Sequence, residues 1–104
     1  MKGDIYIDTD LVGHADLKII DQSMGAIGGW LIPNPLYERY RQRIQDLYKV
    51  QGIACSQDLN FKVMIGYITL EPAGGVGITD AAAFDEIYVE VAGLNLQLVG
   101  IENL

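Results

Sequence analysis

One segment of this chain, from Pro35 to Gln51, has the sequence of a helix with a marked start and a marked end. Asn34 can cap the first turn, Pro35 fits the first helical position, and Gly52 can end the helix in a left-handed conformation. We therefore predict one long amphipathic helix over about residues 35–51. The remaining residues must then supply strands and loops around it.

Apolar residues within this helix recur at steps of three and four, which is typical of a helix that packs along one side. The predicted packing stripe consists of Tyr37, Tyr40, Ile44, Leu47 and Gln51, widened by Leu36 and Tyr48. Most charged and amide side chains face elsewhere. One side of the helix is therefore expected to dock on a sheet.

Alternating apolar and polar residues before the helix predict strands. Residues 4–8 and 14–19 alternate in this way, and the turn-forming Asp8-Thr9-Asp10 between them favours a hairpin. A third strand is predicted over Met24 to Ile32. Because Gly28 and Gly29 have no side chains to pack, we expect a bulge or sharp bend there, with Trp30 anchoring the strand just beyond it.

The sequence after the helix predicts further strands joined by loops. Phe61 to Leu70 is an apolar run with an expected bend at Gly66, and residues 72–77 have loop composition. Thr79 or Asp80 can cap a short helical turn over residues 81–84. Alternation over residues 86–91 and 94–98 predicts a C-terminal hairpin.

The order of these elements defines the expected fold class. The loops are too short for repeated right-handed crossovers, so neighbouring strands should run antiparallel. We predict an α+β fold in a single domain of residues 1–104, with a mostly antiparallel sheet of about six to seven short strands. The long helix is expected to pack on one face of that sheet.

Composition excludes several classes of function. Hydrophobic residues make up 50% of the chain, enough to form a core, and the formal net charge is −7. Negative charge repels both nucleic-acid phosphates and anionic membranes, so neither is an expected partner. With no segment suited to span a bilayer and no signal-peptide pattern, a cytoplasmic protein is expected.

No catalytic, metal or cofactor site is predicted. The chain has one cysteine, Cys55, and one histidine, His14, which excludes a disulfide framework and multi-histidine metal centres. The segment Asp8 to Gly13 begins like a calcium loop, but Ile19 stands where the closing glutamate is needed. The glycines of residues 74–77 lack the lysine of a phosphate-binding loop.

Charge is distributed unevenly along the chain. Residues 38–49 of the helix carry four bases and two acids, whereas the rest carries three bases and twelve acids. Two interpretations of the helix bases Arg39, Arg41 and Arg43 remain open. They pair with acids of neighbouring loops in the same molecule, or they form one side of a two-sided electrostatic surface.

The interpretation that fits these observations best is a small, non-catalytic, acidic module that binds a protein partner with a basic surface. The candidate partner-binding residues are Tyr6, Asp16, Glu86, Tyr88 and Glu90, which alternation places outward. An immunity-type inhibitor of a basic toxin or nuclease is a specific version of this hypothesis. The alternatives are a homo-oligomeric structural domain and, least favoured, a small hydrolase or lyase.

Overall fold

The computed structural model describes residues 1–97 and 100, and within them it contains nine β-strands and one α-helix. In chain order the elements are β1 (Lys2–Ile7), β2 (Asp10–Asp16), β3 (Lys18–Asp21), β4 (Ala26–Pro33), α1 (Glu38–Gln51), β5 (Ala54–Cys55), β6 (Phe61–Ile65), β7 (Ile68–Thr69), β8 (Gly75–Asp80) and β9 (Ile87–Ala92). This confirms the α+β class.

All strand pairs in the described part of the chain are antiparallel. Their order across the sheet is β5-β8-β9-β4-β2-β1-β6-β7, and β3 pairs with β4 beside this path. Strand β4 therefore has two partners along one edge. It pairs with β3 through residues 26–28 and with β2 through residues 31–33, while β9 covers the other edge.

Both predicted ends of the helical segment are confirmed. The Asn34 side chain accepts a hydrogen bond from the Leu36 N–H at 2.9 Å, and a 3₁₀ turn over Pro35–Tyr37 leads into α1. At the far end Gly52 has φ of 83° and donates its N–H to the Tyr48 carbonyl at 2.7 Å. A left-handed glycine is the usual way to satisfy the last carbonyls of a helix.

The helical segment packs against β8 and β5 and completes the hydrophobic core. Tyr37 and Ile44 are fully buried, and Tyr40 and Leu47 pack partly buried against the same core. Leu36 and Gln51, at the edges of the predicted stripe, are exposed. Strands contribute the rest of the core through inward positions such as Ile5, Ile27 and Val89.

The nine strands exceed the six or seven predicted, because the strand predicted over residues 14–19 divides into β2 and β3 and because the sequence predicted neither β5 nor β8. Gly75 and Gly77 lie within β8, between β5 and β9. A Cβ on Gly77 would lie 2.5 Å from the Ile53 side chain, so the glycine makes room for that side chain. The glycines that make this segment resemble a loop lie in a strand, where Gly77 allows the Ile53 side chain to pack closely.

Two predictions near the C-terminus are wrong. Thr79 and Asp80 belong to β8 and do not cap a helix, and residues 81–84 form turns. Residues 94–97 are not a strand, so the expected hairpin does not form over them. Leu98, the last residue of that predicted strand, lies outside the described residues.

The expected irregularity at Gly28 and Gly29 is also wrong. Strand β4 keeps continuous register with β9 through both glycines. Register shifts lie elsewhere, between Ile5 and Tyr6 in the β1–β2 pair and between Ile19 and Asp21 in the β3–β4 pair. A Cβ on Gly29 would lie 2.3 Å from the Asp16 carbonyl oxygen, so close approach of a neighbouring strand explains this glycine.

In the described residues, no helix has both the length and the apolar character needed to cross a membrane.

Candidate functional site

A groove of about 510 Å³ lies on the face of the sheet that is turned away from α1, and we call it the outer groove. It is lined by Asp16, Lys18–Ile20, Gly28–Trp30, Ile32 and Tyr88. These residues come from β2, β3, β4 and β9, which are neighbours in the sheet. The groove therefore exists only when the two halves of the chain have paired.

Two aromatic rings form one side of the outer groove. Trp30 and Tyr88 lie directly opposite each other in the β4–β9 pair, with ring centroids 4.8 Å apart and ring planes at 72°. This edge-to-face geometry is a favourable one for aromatic pairs. Trp30 is nevertheless 58% exposed, so its ring remains available to a ligand.

Gly28 allows the Tyr88 ring to take this position. A Cβ on Gly28 would lie 2.5 Å from the Tyr88 hydroxyl oxygen and 2.9 Å from Cζ. Any larger residue would displace the ring across the groove. The glycine is therefore part of the site as well as part of the strand.

An acid and a base flank Gly28 in the same row of the sheet. Glu90 pairs with Gly28 on one side and with Gly77 on the other, and Lys18 pairs with Gly28 from β3. The exposed Glu90 forms no ion pair with residues 1–97. Burial and then the nearby Glu90 carboxylate raise the pKa of Tyr88, which keeps the phenol neutral.

Asp16, at the end of β2, is the acid that lines the groove itself. It accepts a hydrogen bond from the amino group of Met1 at 2.7 Å. This hydrogen bond and the positive charge of the amino group hold the pKa of Asp16 below its usual range. Asp16 is therefore charged and already partnered, unlike Glu90.

The structure brings together most of the residues that the sequence suggested. Asp16 and Tyr88 line the outer groove, Glu90 lies beside it, and the exposed Glu86 directly precedes β9. Tyr6 lies on β1, which is three strands from β9, a separation of roughly 14 Å at the usual strand spacing. Tyr6 is therefore apart from the others.

Of the residues that line the groove, the sequence predicted only Asp16 and Tyr88 as site residues, and the most exposed apolar residues of those it missed are Trp30 and Ile32. Trp30 was expected to anchor its strand, yet 58% of it is exposed, and Ile32 is 59% exposed. Strand alternation could have indicated both residues. Ile27 and Leu31 are buried, so residues 30 and 32 point to the opposite face of β4. The pairing with Tyr88 carried no such local signal.

A second polar cluster lies on the inner side of the sheet, beneath the helical segment. Asp80 is 1% exposed and accepts hydrogen bonds from the Tyr37 hydroxyl at 2.8 Å and the Gln45 amide at 3.2 Å. The Arg41 guanidinium lies 3.6 Å from the same carboxylate and 5.0 Å from the Tyr37 ring centroid. Burial and then the bond to Asp80 raise the pKa of Tyr37.

The structure gives internal partners to all three helix arginines. Arg41 pairs with Glu38 at 2.8 Å as well as with Asp80, and Arg39 lies 3.6 Å from Asp10. Arg43 donates to the Asp58 carbonyl at 3.4 Å. Arg39 and Arg41 therefore pair with acids of the same molecule, as the first interpretation expects, whereas Arg43 contacts a backbone carbonyl.

Cys55 and His14, the single cysteine and the single histidine of the chain, lie apart. Cys55 is a half-buried free thiol on β5, and its backbone N–H donates to the Asp58 carboxylate at 2.9 Å. His14 lies on β2, four strands away in the sheet order. Asp10, from the calcium-like segment, accepts a hydrogen bond from the Tyr40 hydroxyl. In the described residues, no three His, Cys, Asp or Glu side chains converge on a common point.

Two other hollows are built mainly from turns. One of about 640 Å³ is lined by residues 22–25 and 93–97, and one of about 340 Å³ by residues 55–57 and 72–75. Neither has an aromatic side chain among its lining residues. Ligand sites usually combine apolar and aromatic walls with a few polar groups, and the outer groove fits that description better.

Comparison of the chain with protein-family models, with curated proteins and with solved structures gives no match.

Proposed function

We propose that this protein is a non-catalytic module that binds a basic protein partner through the outer groove and the acids beside it. The observation that carries the proposal is the exposed Trp30 ring, in contact with the half-buried Tyr88, beside a Glu90 carboxylate that forms no ion pair with residues 1–97. The Trp30 ring and the Glu90 carboxylate are both exposed, so a partner protein can contact them.

The aromatic pair is the expected anchor of such an interface. Tryptophan and tyrosine dominate the binding energy of protein interfaces because they offer large contact areas with a polar end. Ile20 and Ile32, 48% and 59% exposed, extend the apolar surface on either side. Contiguous apolar surface of this kind, rimmed by charge, is typical of an interaction site.

Charge favours a basic partner over an acidic one. The protein has a net charge of −7, and two of the helix bases, Arg39 and Arg41, pair with acids of the same molecule. Glu86 and Glu90, both exposed, form no ion pair within the described part of the chain. Such charges steer a basic protein toward the groove and accelerate association.

An immunity-type inhibitor of a basic toxin or nuclease is the specific form of this function that the charge supports. We place the module in the cytoplasm, where the free thiol of Cys55 stays reduced. A homo-oligomer that pairs its outer grooves is the second candidate, favoured by the exposed Trp30 and Ile32. The charge of −7 on each copy opposes that arrangement.

Capture of a partner from the native cell at low and high salt, followed by stopped-flow binding, tests the proposal. The variant Glu86→Lys/Glu90→Lys should slow association with the purified partner and weaken its salt dependence. The matched control is Asp46→Lys/Glu71→Lys, which makes the same change of net charge on α1 and after β7.

Equal association rates for the two double variants would show that only total charge matters and would reject the outer groove as the interface. Sedimentation of the purified protein tests the second candidate. A dimer that Trp30→Ala converts to monomer would favour the homo-oligomer.

A further inference from the structure

The outer groove has the shape and chemistry to hold one long side chain. Gly28 lies at its centre, with the Tyr88 ring over it on one side and Lys18 paired with it on the other. The ring planes of Trp30 and Tyr88 meet at 72°, so the two rings form a corner. Ile20 and Ile32 add apolar surface for methylene groups.

The acid that lines the groove, Asp16, is already bound to the Met1 amino group, and the exposed acid beside the groove is Glu90. Glycines flank it in both neighbouring strands, so the side chains beside it in the row leave its carboxylate uncovered. A cation within about 6 Å of an aromatic ring face is attracted by the ring, most strongly for tryptophan. A single cationic side chain can therefore meet the Trp30 ring and the Glu90 carboxylate together.

We infer that the outer groove binds an arginine or lysine side chain of the basic partner, with its stem against the isoleucines and its charge between Trp30 and Glu90. This inference rests on the proposed function and names the group that the site recognises. Arginine and lysine suit the groove because both carry an apolar stem and a charged head.

Lys18 makes the sign of the ligand charge testable. It lines the groove on β3 and faces Glu90 across Gly28. Its positive charge weakens binding of a cation and strengthens binding of an anion. Lys18→Ala should therefore tighten the binding of a cationic ligand about twofold, whereas an anionic ligand should bind more weakly.

The test uses blocked glycine–serine peptides with one central residue. Arginine is compared with citrulline, which has the same shape without the charge, with norleucine and with glutamate. Trp30 is the single tryptophan of the chain, so its fluorescence and its indole N–H resonance report on this groove alone. We expect a saturable change with the arginine peptide and binding at least threefold weaker with citrulline.

Variants of the protein connect that signal to the site. Glu90→Gln should weaken binding of the arginine peptide about threefold, the range of a partly exposed ion pair, while Glu71→Gln should leave it unchanged. Gly28→Ala should abolish binding because the added Cβ displaces the Tyr88 ring. Glu90→Gln changes only an exposed side chain, so its result does not depend on refolding.

The outcomes separate this inference from the proposed function. Equal binding of norleucine and arginine peptides, or no binding of arginine, overturns the cationic occupant even if the partner still requires Glu86 and Glu90. Arginine-specific binding with a partner that ignores those acids supports the groove assignment and rejects the proposed function. Self-association that Trp30→Ala abolishes places a second copy in the groove and overturns the inference.

Discussion

Tyr37 and Tyr88 show how differently the two sides of the sheet are built. Tyr37 is fully buried beneath the helical segment, donates a hydrogen bond to Asp80 and lies under the Arg41 guanidinium. Tyr88 is half-buried on the outer side and contacts the exposed Trp30, and its hydroxyl has no hydrogen bond to residues 1–97. Each tyrosine has a carboxylate nearby.

The difference lies in how far the polar groups are satisfied within the molecule. On the inner side Asp80 has three partners, and no buried side-chain nitrogen or oxygen in the described residues is left without one. On the outer side Glu90 and the Trp30 ring face solvent. Buried polar groups that are satisfied within the molecule stabilise the fold, whereas the exposed groups of the outer side are the ones that the proposed binding role uses.

The two acids give the largest expected contrast. Asp80→Ala should lower the free energy of unfolding by about 3 to 5 kcal/mol, because it leaves the Arg41 charge and two polar groups without their buried partner. Glu90→Ala should change it by less than about 0.5 kcal/mol, as an exposed substitution usually does. Urea denaturation of both variants measures this. Similar losses would remove the distinction between the two sides.

Two isoleucines test the same contrast with apolar side chains. Ile44→Ala should cost about 3 kcal/mol because it opens a cavity under the helix, where Ile44 is fully buried. Ile32 is 59% exposed in the outer groove, so Ile32→Ala should cost about 0.5 kcal/mol. Urea midpoints of the two variants decide the matter. A large loss for Ile32→Ala would mean that this face is packed rather than open.

Substitution of the two adjacent glycines of β4 should distinguish a residue that the fold needs from one that shapes the groove. Gly29→Ala should destabilise the protein by about 2 kcal/mol, because the new Cβ meets the backbone of Asp16. Gly28→Ala meets only the movable tip of Tyr88, so it should have a small effect on thermal stability and a clear effect on Trp30 fluorescence. If Gly28→Ala and Gly29→Ala lowered stability equally, the Tyr88 ring would be shown to be fixed in place.

The two tyrosines give the smallest effect, and it depends on pH. Tyr37→Phe should cost about 1 to 2 kcal/mol at pH 8, because Asp80 loses a donor. Burial and the nearby Asp80 raise the folded-state pKa of Tyr37. Just above about pH 10, the Tyr37 hydroxyl therefore ionises in the unfolded chain and stays neutral in the folded protein. The stability that Tyr37 contributes is therefore present below pH 10 and lost above it.

Melting temperatures of the wild type and Tyr37→Phe at pH 8 and pH 11 check this sign. The difference between the two proteins should shrink at pH 11. Tyr88→Phe is the comparison and should cost little at pH 8, because the Tyr88 hydroxyl has no hydrogen bond to residues 1–97. A difference that grows with pH would contradict the burial of Tyr37.

Much of the helix was predictable because its signals are local. Asn34, Pro35 and Gly52 mark its ends through their own backbone preferences, and the structure uses Asn34 and Gly52 as caps. The bend at Gly66 is likewise local, and that glycine has φ of 61° between β6 and β7. Such features depend on neighbours a few residues away.

The outer groove was only partly predictable because it depends on strand order. Alternation placed Asp16, Tyr88 and Glu90 outward, but the order that brings β9 beside β4 follows from the whole sheet. Strand β8 was missed for the same reason, since Gly77 is explained by Ile53 and by no property of its own segment. Side chains from distant segments explain these positions.

Near Gly29 one edge of β4 changes its pairing partner from β3 to β2, while the other edge pairs with β9. This arrangement affects the timing of folding. Trp30 meets Tyr88 only after the chain between them has closed a long loop through the helix and four further strands. Closing such loops is slow because the entropy is lost before the contacts form. On the ribosome, the outer groove therefore cannot form until β9 has emerged.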